Sequence, residues 1–82
     1  MSLDPERAAR VRRMVADPTT WPGGVLRMKR VEDGVAIVEF GMIARIEPGR
    51  IILAVDDPAE DVRIFAGVEE LIEAGWAVDG AG

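Results

Sequence analysis

The sequence predicts a small α+β domain with an N-terminal helix, an antiparallel β-meander of three to five strands, and a short C-terminal helix. Apolar residues recur at helical spacing near both ends of the chain. Residues 25–55 instead alternate or are continuously apolar, and two turn sequences interrupt them. The 82 residues have space for one hydrophobic core, so residues 1–82 are expected to form a single domain. A composition that is 49% hydrophobic and 30% charged is typical of a folded globular protein.

The first predicted helix begins at Pro5, because proline is favoured at the first helical position and the preceding Asp4 is a good N-cap. The helix is expected to end at Ala16, since the next residue precedes a proline and that position disfavours the α conformation. An apolar stripe at helical spacing should face the core, and it comprises Ala8, Val11, Met14 and Val15.

The segment after this helix is rich in proline and glycine and is expected to be a loop over residues 18–24. Its Trp21 is expected to cover an edge of the core. From residue 25 to 31 the pattern changes to that of a strand with an apolar face and a basic face. Leu26 and Met28 lie on the apolar face, and Arg27 and Lys29 lie on the basic face.

Two turn sequences predict antiparallel hairpins. Asp33-Gly34 suits a tight hairpin turn because both residue types tolerate positive φ, and Glu47-Pro48-Gly49-Arg50 fits a type II turn. The intervening residues 35–46 are apolar on both faces, which predicts a central strand or one covered by another chain. Gly41 within this run predicts a bulge or a sharp bend. Residues 50–55 form the third predicted strand.

The C-terminal third allows two interpretations for residues 62–65, either a short fourth strand or the middle of a helix that begins at Pro58. Residues 68–75 are predicted to form a short helix that ends at a glycine, and residues 76–78 a last strand. Such a meander can close as a small SH3- or Sm-like barrel, or it can remain an open sheet with helices on one face.

The chain offers few groups for catalysis, because it contains no His, Cys, Tyr, Asn or Gln and a single Lys. This composition excludes thiol nucleophiles, Ser–His triads and His- or Cys-based metal sites. Glu39 lies within an apolar strand, where burial would raise its pKa. The more common role of such a residue is to face solvent or to pair with an arginine across the sheet. No glycine-rich nucleotide motif is present, so we expect a protein that is not an enzyme and binds no cofactor.

An acidic segment follows the third predicted strand, where Asp56, Asp57, Glu60 and Asp61 lie within six residues. Carboxylate oxygens suit Ca²⁺ or Mg²⁺, but the spacing does not match an EF-hand loop. We therefore expect a hydrated turn and no metal site.

The cysteine-free composition gives no reason to expect an oxidising compartment, and a cytoplasmic location is predicted. The longest apolar run, Ile51–Val55, is far shorter than the roughly 20 residues that a membrane-spanning helix needs.

Charge is distributed unevenly along the chain. Residues 1–30 contain seven basic and three acidic residues, whereas residues 31–82 contain three basic and twelve acidic residues, for a total of −5. Such asymmetry marks an interaction surface in some proteins. It also arises when a basic helix lies against acidic segments and the charges compensate each other within the molecule.

The acidic residues predict a protein–protein interaction module, of the kind in which a small acidic inhibitor (an antitoxin or a phage anti-defence protein) occludes a basic or nucleic-acid-binding site. The partner would be an unidentified protein with a basic surface. Glu73 supports this prediction, because a negative charge near a helix C-terminus is locally unfavourable. The predicted contact residues are Asp56, Asp57, Glu60, Asp61, Glu69, Glu70 and Glu73.

The alternative prediction is a small nucleic-acid-binding domain, in which basic residues contact phosphates and a tryptophan stacks on a base. The net charge of −5 disfavours it, since the whole chain repels polyanions. The residues it would use are Arg7, Arg10, Arg13, Trp21, Arg27 and Lys29.

A homodimer is also predicted, because residues 35–46 are apolar on both faces and so short a chain has few elements to cover them. The dimer is expected to bury part of Val35, Ile37, Ile43 or Phe40.

Overall fold

A computed structural model describes residues 3–33, 36–56 and 61–80. The elements in chain order are helix α1 (Pro5–Ala16), strands β1 (Leu26–Glu32), β2 (Ala36–Glu47), β3 (Arg50–Val55) and β4 (Val62–Phe65), helix α2 (Val68–Glu73) and strand β5 (Trp76–Val78). Two short 3₁₀ turns, Pro18–Thr20 and Pro22–Gly24, connect α1 to β1. The predicted α+β class is confirmed, and residues 62–65 form the strand rather than the helix.

Helix α1 begins and ends where its sequence predicts. The side chain of Asp4 accepts a hydrogen bond from the backbone N–H of Arg7 at 3.0 Å, which satisfies one of the free donors of the first turn. Ala8 and Val11 of the apolar stripe are buried in the core. Among the helices of the described residues, none is long and apolar enough to cross a membrane.

The five strands form one antiparallel sheet in the order β4-β3-β2-β1-β5. Strands β4 and β5 stand at opposite edges and do not pair with each other, so the sheet is open and is not a closed SH3- or Sm-like barrel. The turn at residues 47–50 has Gly49 at φ 72°, as a type II turn requires. The first hairpin also forms, with Asp33 at φ 53°, although Gly34 of its turn lies outside the described residues.

The sheet has two chemically different faces. The inner face packs against α1 and α2, and it presents Leu26 and Met28 of β1 together with Ile51, Leu53 and Val55 of β3 to the core. Because side chains alternate along a strand, the intervening residues lie on the opposite face, which no helix of the described residues covers. We call this second surface the outer face.

Gly41 has a different role from the one expected of it. The irregularities in the ladders fall between Arg30 and Val31 and between Ile43 and Arg45, so neither bulge is centred on this glycine. A β-carbon at residue 41 would lie 2.7 Å from the carbonyl oxygen of Ala54. The glycine therefore permits a close approach of β3 to β2.

Candidate protein-binding surface

The outer face carries a group of apolar side chains drawn from β2, β3 and β4. Register pairs Met42 with Ala54 and Ala54 with Val62, and it pairs Ile52 with Ile64 on the neighbouring row. Phe40 stands two residues before Met42 and therefore shares its face. We call this group the outer patch; it comprises Phe40, Met42, Ile52, Ala54, Val62 and Ile64.

Three members of the outer patch are unusually exposed for large apolar residues. Phe40 is 43% exposed, Val62 is 52% exposed and Ile64 is 55% exposed. Single exposed apolar residues are ordinary. Here the half-buried Met42, Ile52 and Ala54 connect Phe40 on β2 with the two residues on β4, so the outer patch is a continuous hydrophobic surface. Such surfaces on small proteins commonly mark sites that bind other proteins.

Charged residues border the outer patch at both ends. At one end Arg27 of β1 pairs with Asp56 at 3.0 Å. Lys29 lies beside Phe40, which is its register partner in β2. At the other end Glu47 lies 2.9 Å from Arg45 and 3.8 Å from Arg50. An apolar centre with a polar, mixed-charge border is the usual composition of a protein interface.

The acidic residues of α2 are largely engaged within the molecule. Arg12 of α1 donates two hydrogen bonds of 2.8 Å to the carboxylate of Glu69, and these bonds and the charge of Arg12 outweigh a small opposing effect of burial and lower the pKa of Glu69. Glu70 accepts a hydrogen bond from the backbone N–H of Ala66 at 2.9 Å. Within the described residues, Glu73 makes no side-chain hydrogen bond or ion pair. The basic helix thus compensates part of the acidic surface.

Two of the other predicted contact acids are also paired within the molecule. Asp56 pairs with Arg27, and Asp61 lies 3.4 Å from Arg63, while Asp57 and Glu60 fall outside the described residues. Ion pairs within the molecule therefore engage Asp56 and Asp61 as well as Glu69.

Glu39 pairs with arginines across the sheet, which is one of the two roles that the sequence predicts for it. It accepts hydrogen bonds from Arg30 at 2.7 Å and from Arg63 at 3.0 Å, and its side chain is 17% exposed. Burial alone would raise the pKa of Glu39, but the hydrogen bonds and charges of the two guanidinium groups lower it below its usual value. A carboxylate held ionised by two cations is a poor general acid, so this cluster is structural.

The basic residues of the nucleic-acid alternative lie on opposite sides of the sheet. Arg7, Arg10 and Arg13 belong to α1 on the inner side, whereas Arg27 and Lys29 project from the outer face. Trp21 is 7% exposed, and its indole N–H donates to the carbonyl oxygen of Met14 at 2.7 Å. Trp21 covers an edge of the core, as predicted, and in this position its ring cannot stack on a base.

Metal ligands are not gathered anywhere in the described part of the chain, which contains no group of three or more carboxylates placed to hold an ion. One buried polar atom has no partner there: the indole nitrogen of Trp76 has no hydrogen-bond acceptor among the described residues. Trp76 is fully buried, so this nitrogen is a cost to stability and not a binding group.

The sequence indicated part of the outer patch. The run from 35 to 46 is apolar on both faces, and this indicated that one face would lack a cover. Of the residues predicted at a dimer interface, Phe40 and Ile37 are exposed, Val35 lies outside the described residues, and Ile43 is wrong because it is fully buried in the core. Val62 and Ile64 were missed, because their exposure depends on β4 being an edge strand.

Comparison with known proteins adds no relationship to these observations: no protein-family model, no curated protein and no solved structure matches the chain.

Proposed function

We propose that the chain is a non-enzymatic protein–protein interaction module that acts in the cytoplasm and binds its partner through the outer patch. The observation that supports this function is the exposure of Phe40, Val62 and Ile64 on a sheet face opposite both helices. Burying such side chains against a partner removes apolar surface from water, which is the main favourable contribution to protein association. The mixed charges at the border would then fix the orientation of the partner.

The test uses two variants that remove a similar exposed apolar side chain from different faces. Phe40→Ser changes the outer patch, and Ile46→Ser is its control, because Ile46 is 38% exposed and pairs with Ile51 of the inner face. Proteins retained from the native host by the wild-type chain are identified by mass spectrometry, purified and titrated against both variants. We expect Phe40→Ser to weaken binding at least tenfold, as loss of an interface aromatic commonly does. Equal binding by both variants would contradict the proposal.

A second mode of binding is supported by Glu73, which is exposed near the C-terminus of α2 and unpaired within the described residues. In this mode the acidic residues of α2 contact a basic partner, and the module is a small inhibitor of a basic or nucleic-acid-binding site. Reversing Glu69, Glu70 and Glu73 to lysine should then slow association and reduce its salt dependence. The matched control reverses Arg7, Arg10 and Arg13 to glutamate and should bind almost normally.

The same variants distinguish the nucleic-acid alternative. A gel-shift measurement at low salt with labelled DNA and RNA would show retention that weakens steeply as salt rises. Retention that the arginine reversals abolish and the glutamate reversals leave intact would replace both protein-binding modes.

A further inference from the structure

The two edges of the sheet differ in how far they are covered. All three residues of β5 are almost inaccessible: Trp76 is 0% exposed, Ala77 is 1% exposed and Val78 is 6% exposed. In β4, by contrast, Val62 is 52% and Ile64 is 55% exposed. Among the described residues, β4 is therefore the edge that is open to an additional strand.

The hydrogen-bonding pattern shows which backbone groups of β4 face outward. The N–H of Val55 donates to the carbonyl oxygen of Asp61 at 2.9 Å. Antiparallel ladders alternate hydrogen-bonded and non-hydrogen-bonded pairs, so the next hydrogen-bonded residue of β4 is Arg63. The N–H and C=O groups of Val62 and Ile64 consequently point away from β3. The residues with the most exposed side chains also present the unpaired edge of the backbone.

The charge order along β4 is complementary to itself in an antiparallel arrangement. Asp61 and Arg63 stand two residues apart, share a face of the strand, and have side chains that are 40% and 37% exposed. If Val62 lies opposite Val62 of a second copy, Asp61 faces Arg63 of that copy and Arg63 faces its Asp61. A shift that places Val62 opposite Ile64 keeps the same backbone groups facing each other. It would place two Arg63 side chains opposite each other, which is unfavourable.

We propose that β4 pairs antiparallel with β4 of a second copy of this chain, in the register that aligns Val62 with Val62. The pairing joins two five-stranded sheets into one continuous sheet. It uses the same edge of both copies, so it closes as a two-fold dimer and leaves no free β4 edge for further growth. Val62 and Ile64 also belong to the outer patch, so the two patches become continuous across the junction. The dimer does not depend on the proposed function, since Phe40 lies away from this edge.

The test compares two substitutions at residue 62 by sedimentation equilibrium from low micromolar to submillimolar concentration. Val62→Pro removes an outward N–H that β3 does not use, whereas Val62→Thr retains it and is the matched control. We expect the wild-type chain and Val62→Thr to have twice the monomer mass of 8.9 kDa, and Val62→Pro to be a monomer with unchanged far-UV circular dichroism. Phe40→Ser should remain a dimer, which separates this result from the test of the outer patch.

Charge reversal at residue 61 tests the register independently of proline. Asp61→Lys should dissociate the dimer, because it places a cation opposite Arg63 of the second copy. Asp61→Asn removes the charge without reversing it and is the matched control, which should dimerise more weakly than the wild type but more tightly than Asp61→Lys. Arg63 is left unchanged because it binds Glu39 within the same chain. A wild-type chain that remains monomeric at submillimolar concentration would overturn the proposal, as would a folded Val62→Pro variant that dimerises normally. If Val62→Pro does not fold, the substitutions at residue 61 decide the question, and a folded Asp61→Lys variant that dimerises as tightly as the wild type overturns the pairing.

Discussion

Replacing Glu39 with glutamine tests the arginine cluster, because this side chain links β1, β2 and β4. Glu39 receives hydrogen bonds from Arg30 at 2.7 Å and from Arg63 at 3.0 Å, and a second oxygen lies 2.8 Å from Arg63. Glutamine keeps one oxygen acceptor and loses the charge. The arginines keep their other carboxylate neighbours, Glu32 and Asp61, which limits the loss.

The expected loss for Glu39→Gln is about 2 kcal/mol at neutral pH. A hydrogen bond to a charged group contributes about 1.5–3 kcal/mol, whereas a fully exposed ion pair contributes about 0–1 kcal/mol. The Glu39 side chain is 17% exposed, so its contribution to the free energy of unfolding should lie between these values, nearer to that of the hydrogen bond to a charged group. For a domain of this size, the melting temperature should fall by about 8–16 °C.

The stability difference between the wild type and Glu39→Gln should depend on pH, because the pKa of Glu39 is lower in the folded protein than in the unfolded chain. Stability that depends on ionised Glu39 is complete above the unfolded pKa of about 4.3, and it is lost as the pH falls through the lower folded pKa. The difference in the free energy of unfolding between the wild type and Glu39→Gln should therefore decrease as the pH falls through this range.

The assay is urea unfolding followed by the fluorescence of the two buried tryptophans, at neutral pH and at several acidic pH values. Glu73→Gln is the control, because Glu73 makes no hydrogen bond or ion pair within the described residues and its loss should change stability by less than about 0.5 kcal/mol. A Glu39→Gln variant as stable as Glu73→Gln at neutral pH would refute the stabilising role of the arginine cluster, as would a loss of unfolding free energy that is independent of pH.

Two further substitutions test the packing of β3, both by urea unfolding. Gly41→Ala should destabilise the protein by about 1–3 kcal/mol, because its β-carbon would lie 2.7 Å from the carbonyl oxygen of Ala54. Gly67→Ala is the control, because a β-carbon there would have open space around it, and it should destabilise the protein far less. Equal losses of stability in the two variants would contradict the close approach of β3 to β2 at Gly41. Leu53→Ala should cost about 2–5 kcal/mol, since Leu53 is 0% exposed in the core. Ile64→Ala at low protein concentration should cost much less, because Ile64 is 55% exposed, and an equal cost would show that Ile64 is buried in the monomer.

Elements with short-range signals were predicted with nearly the bounds that the structure shows. Asp4 and Pro5 define the start of α1, and residues 47–50 define the second hairpin, because caps and turns depend on a few consecutive residues. Pairing with an arginine across the sheet was one of two roles predicted for Glu39, the other being a solvent-facing position, and its 17% exposure supports the first. Its two partners, 9 and 24 residues away in the sequence, could not be identified without the register.

The sequence by itself determined the α+β class, the helix and hairpin positions, and the absence of the side chains that most catalytic and metal sites require. Only the tertiary structure decided that the sheet remains open, that both helices pack on one face, and that β4 is the exposed edge. It also decided that Arg12 neutralises Glu69 and that Arg27 pairs with Asp56. Local propensity depends on neighbours within a few residues, whereas edges, covered faces and charge pairs depend on contacts between segments that the chain brings together only when it folds.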